Sequence, residues 1–74
     1  MERWYRADYD VAGTDNQRDE YFAAESDEQA IEIAKEIASD GIWYADAGLK
    51  GLVLVQVVLL DETECFKEIK TIYW

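Results

Sequence analysis

The sequence predicts an α+β domain of two layers, with one helix packed on one face of a four-stranded sheet in the order ββαββ. Three observations predict it: strict alternation of side chains near the N-terminus, a single amphipathic stretch with its own start signal, and a long β-branched run followed by another extended segment. The chain has 74 residues, half of them apolar and 14% aromatic, which suits one small domain spanning 1–74 with a single core rather than a disordered chain.

Over residues 3–11, Tyr5, Ala7, Tyr9 and Val11 share one side, while Trp4, Arg6, Asp8 and Asp10 share the other, the period of a half-buried strand. Residues 13–19 are polar and rich in turn formers. Tyr21, Phe22, Ala23 and Ala24 then resume an extended pattern, so the two runs form a long-looped hairpin whose register the loop leaves open. Ser26, Asp27, Glu28 and Gln29 make a capping box: Ser26 accepts from the Gln29 amide, Gln29 reaches back to the Ser26 amide, and two acids sit at the positive helix end. A helix over residues 27–40 follows, with Ala30, Ile33, Ala34, Ile37 and Ala38 as its buried stripe and Gly41 as its left-handed cap. Residues 42–47 fit a short strand, an aromatic loop or an irregular helical turn. Residues 52–60 form the strongest strand, Asp61 to Glu64 a turn, and residues 66–74 the last strand.

The sheet is antiparallel or mixed. The element order resembles that of β-grasp domains, which implies adjacent, parallel first and last strands; a mainly antiparallel sheet fits equally well.

The third strand is apolar on both sides: Val53, Val55, Val57 and Leu59 on one, Leu52, Leu54, Val58 and Leu60 on the other, with only Gln56 polar. One helix covers one face, so the other is expected to form an apolar interface centred on Trp4, Leu54, Val58, Ile72 and Trp74, joined by Phe66, for a protein partner or a second copy in a homodimer. A one-residue bulge would reverse the assignments of Trp4 and Trp74.

Seventeen acidic against seven basic residues give a net charge of −10, which opposes direct binding to nucleic acid or anionic membrane. Glu25, Glu28, Glu32, Glu36 and Asp40 fall on one helix face at a spacing where like charges repel. They suggest a second reading, a nucleic-acid mimic that occupies a basic protein's groove. Phage-encoded anti-restriction and anti-CRISPR proteins look broadly similar in size and charge, though no motif here matches one of them.

With no histidine, and with Cys65 set among Asp61, Glu62 and Glu64, neither a zinc site nor an activated thiolate is expected. Gly48 and Gly51 are too close to make a phosphate loop, and residues 15–20 lack the ligand spacing of a calcium loop. The expectation is a non-enzymatic protein without cofactor or metal. The longest apolar run is too short to cross a bilayer and residues 1–8 carry no signal-like stretch, so a soluble, cytoplasmic protein is expected.

Overall fold

The computed structural model describes residues 2–11, 13, 15–40 and 52–73. The N-terminal alternation forms β1 (Arg3–Val11), and the following polar loop returns the chain as β2 (Gln17–Ala24). The capped segment forms α1 (Asp27–Asp40), followed by β3 (Leu52–Asp61), a single 3-10 turn at Glu62–Glu64, and β4 (Lys67–Tyr73). The second strand starts earlier than its apolar part announces, because Gln17 to Glu20 pair with β1 although they are exposed.

The sheet order is β2-β1-β3-β4 and every pairing is antiparallel. The fold is therefore α+β with a four-stranded antiparallel sheet and one helix packed against it. First and last strands are not neighbours, so the β-grasp arrangement is not adopted. Both β2 and β3 run opposite to β1, hence parallel to each other, and α1 is the crossover that carries the chain between them.

Small residues set the contact between the layers. Ala7 and Ala24 on the sheet and Ala30 and Ala34 on the helix are fully buried, which lets the backbones approach, and Tyr5, Tyr9, Val57 and Leu59 fill the space around them. Both tyrosines keep their hydroxyls bonded to the helix: Tyr9 donates to the Ala34 carbonyl at 2.8 Å and Tyr5 donates to Asp27 Oδ1 at 2.9 Å. Lys70 of β4 reaches the other oxygen of Asp27 at 3.2 Å, so that carboxylate ties helix, first strand and last strand together.

The helix start largely follows the capping box. Ser26 Oγ accepts from the Gln29 amide at 3.1 Å, but the Gln29 side chain accepts from the Glu25 amide at 2.6 Å, one residue before the predicted partner. The predicted cap at Gly41 and the ambiguous residues 42–47 lie outside the described residues.

Bulges decide which apolar residues face the helix. Asp8 pairs with Gln56 but Tyr9 with Leu54, leaving Val55 as an extra residue in β3. Before this bulge Leu52 and Leu54 pack against the helix-side core; after it Val57 and Leu59 do. In β4, Ile69 and Ile72 are the extra residues, since Leu60 pairs with Glu68, Leu59 with Lys70, Val58 with Thr71 and Val57 with Tyr73.

The turn into β4 holds two side-chain-bearing residues in the left-handed region, Cys65 at φ 56° and Phe66 at φ 60°. A Cβ in that conformation costs about 1–2 kcal/mol. Cys65 is exposed, so Cys65→Gly is expected to raise stability by about 0.5–1 kcal/mol, the relief exceeding glycine's extra entropy loss. The check is a higher urea midpoint at unchanged slope; an unchanged midpoint would mean the turn carries no strain.

Candidate functional site

The uncovered sheet face is built by the side chains that alternate away from the helix. Trp4, Arg6, Asp8 and Asp10 of β1 stand beside Ala23, Tyr21, Asp19 and Gln17 of β2 respectively. Arg6 and Asp8 also pair with Val58 and Gln56 of β3. Val58 and Leu60 lie on this face yet are buried, at 0% and 4% exposure.

A polar belt crosses the middle of the face. Arg6 forks onto Asp8 with Nε to Oδ1 at 2.8 Å and Nη2 to Oδ2 at 3.1 Å, and its Nη1 lies 3.4 Å from Glu68 Oε2 of β4. Gln56 Nε2 donates to Asp8 Oδ2 at 2.5 Å. Partial burial pushes the Asp8 carboxyl up, but the bonds from Arg6 and Gln56 and the Arg6 charge together hold it below its ordinary value. Asp19, directly opposite, moves the other way: desolvation and the adjoining Asp8 carboxylate raise it. Asp8 thus stays ionised with its oxygens already engaged, an arrangement that braces β1, β3 and β4.

On one side of the belt lie Val53 and Val55, 55% and 37% exposed. On the other, an aromatic ridge runs from Trp4 to Phe66, edge-on at 5.8 Å, and from Phe66 to Tyr21 at 6.4 Å. Tyr21, Phe66 and Ile69 are each about half exposed. A shallow hollow of ≈ 310 Å³ adjoins the ridge, floored by Trp4, Leu60 and Ile69 and bordered by Glu2, Asp61 and Glu62. Asp61 accepts from the Thr63 hydroxyl at 2.6 Å and from the Thr63 amide at 3.0 Å, and these bonds hold its carboxyl below the ordinary value.

The five residues predicted to centre the interface separate. Trp4 and Val58 lie on the uncovered face, Trp4 half-buried and Val58 fully buried. Leu54 and Ile72 instead pack against the helix-side core, a correction that the β3 and β4 bulges explain. Trp74 lies outside the described residues. Tyr21, Val53, Val55 and Ile69 were not anticipated there. Tyr21 becomes identifiable only once the hairpin register pairs it with Arg6; the others require the bulges.

Four members of the acidic row, Glu25, Glu28, Glu32 and Glu36, are exposed, Asp40 closes α1, and none of the ion pairs found among the described residues uses the four glutamates. Among the described residues no group of three or more His, Cys, Asp or Glu side chains could hold a metal ion, and no helix is long and apolar enough to cross a membrane.

Fold and surface together define a small two-layer α+β domain with an aromatic patch on its uncovered sheet face. Compared with known proteins, the chain matches no family model, no curated protein and no solved structure.

Proposed function

We propose that this chain is a non-enzymatic, cytoplasmic protein-interaction domain that docks a protein partner, or a second copy in a homodimer, through the uncovered sheet face. One observation carries the reading: the large exposed apolar side chains found among the described residues, Tyr21, Val53, Val55, Phe66 and Ile69, all belong to that face. Aromatic anchors of this kind are enriched where binding energy concentrates. The sheet edges suit docking less well, because β2 opens with Gln17, Arg18, Asp19 and Glu20 and β4 is interrupted by two bulges, features that discourage strand addition.

The double substitution Tyr21→Ser with Phe66→Ser removes two exposed rings, so the fold should persist by circular dichroism while association falls at least tenfold. Sedimentation equilibrium for self-association and capture from lysate for a partner read the loss. Self-association through this face should strengthen with salt, since two chains of charge −10 repel each other. Unchanged association in the double variant would overturn the reading.

The exposed glutamates, which none of the ion pairs found among the described residues uses, favour a second reading, the nucleic-acid mimic acting through Glu25, Glu28, Glu32, Glu36 and Asp40. It requires capture of a basic protein that weakens with salt and disappears in Glu28→Lys with Glu32→Lys, while the aromatic substitutions leave it intact.

A further inference from the structure

We propose that the hollow beside the aromatic ridge receives an arginine side chain from a protein partner, an inference that rests on the interaction reading and names the chemistry of its occupant. The floor is apolar, made by Trp4, Leu60 and Ile69, while the border is acidic, made by Glu2, Asp61 and Glu62. An arginine has the matching division: a three-carbon stem that covers apolar surface and a cationic head that stays at the rim. Its planar guanidinium also stacks on aromatic rings and forks onto carboxylates, which a lysine ammonium does less well.

The charges present favour a cation. Asp61 remains ionised because Thr63 donates to it twice, and none of the ion pairs found among the described residues uses Glu2, Asp61 or Glu62. Arg3 lines the hollow as well and subtracts one charge, which leaves three carboxylates against one guanidinium. A second copy fits this end of the face poorly, since it would bring another set of carboxylates and a further −10 of net charge. Phe66 and Tyr21, next to the hollow, offer a surface for an apolar residue flanking the arginine.

The test uses the peptide acetyl-Gly-Leu-Arg-Leu-Gly-amide and its citrulline counterpart, which keeps the shape and loses the charge, titrated into the isotope-labelled full chain and followed by amide chemical shifts. Saturable shifts at Trp4, Leu60, Glu62, Phe66 and Ile69, at least threefold weaker affinity for citrulline, and about fivefold weaker affinity for Glu62→Lys are expected. Shifts confined to residues 27–40, or equal binding of the two peptides, would overturn the inference. So would dilution shifts at the same five amides, which would assign the site to a second copy. No peptide shift at all, with association still lost on Tyr21→Ser and Phe66→Ser, would overturn the arginine assignment alone; association that survives those two substitutions would overturn the interaction reading beneath it.

Discussion

Replacing Tyr9 by alanine is expected to remove about 3–5 kcal/mol of folding stability, a large share of the total. The side chain is 1% exposed, stands near the C-terminal end of β1 beneath the helix, and donates its hydroxyl to the Ala34 carbonyl at 2.8 Å. Deleting a buried ring removes its transfer free energy and leaves a cavity, together about 3–5 kcal/mol. A chain of 74 residues has roughly 4–11 kcal/mol to lose. Tyr9→Phe separates the two contributions: the ring stays, the hydroxyl goes, and the Ala34 carbonyl loses one partner, for about 1–2 kcal/mol. Urea denaturation followed by far-ultraviolet circular dichroism measures both variants. A Tyr9→Ala midpoint close to that of the parent would mean that the helix does not rest on β1.

Element order and most boundaries were legible because the relevant signals are local. Alternation from Tyr5 to Val11 marks β1 and its buried side, and Ser26 with Gln29 marks the start of α1 within a residue. Strand order was not local, since β1 beside β3 follows from which hydrophobic faces meet, and both arrangements considered met them equally well. The patch was legible in kind and in Trp4 and Phe66, but not in its other exposed residues. Across Leu52 to Leu60 nearly every position is apolar, so no change of polarity marks the bulge at Val55, and alternation carried across it places Leu54 on the wrong face. Gln56 was the available clue. A lone polar residue in that run should face away from the core, which places Val58 and Leu60 with it, as found, and requires a break before Leu54 can point inward. Ile72 misled for a related reason in β4, where the two extra residues, Ile69 and Ile72, interrupt the alternation along the strand.

Stability should fall on acidification, and Asp27 supplies the clearest share of that fall. Its carboxylate accepts from the Tyr5 hydroxyl, pairs with Lys70 across 3.2 Å and sits in the first turn of α1, where the helix end is positive. The Tyr5 bond leads in holding its carboxyl below the ordinary value; burial opposes, and the Lys70 bond and charge add to the lowering. A carboxyl depressed in the folded state stabilises it at pH values above the ordinary one, and that contribution is lost as pH falls from there through the folded-state value. Asp8 and Asp61 act in the same sense. Asp19 opposes them: its raised value favours the folded state at low pH, and that contribution is lost as pH rises through the folded-state value. At pH 7, Asp27→Ala should cost about 1–2 kcal/mol, because the Tyr5 hydroxyl is left without its acceptor while the Lys70 pair and the helix-end charge also go. Asp27→Asn should cost about half as much, since an amide oxygen still accepts from Tyr5 but the negative charge is lost. Below the ordinary carboxyl range the parent loses the same charge by protonation, so the gap between parent and Asp27→Asn should close as urea midpoints are followed from pH 7 to pH 2.5. A gap that stays constant over that range would show that the Asp27 charge does not stabilise the fold, and would leave Tyr5 and the sheet–helix packing to hold the helix start on their own.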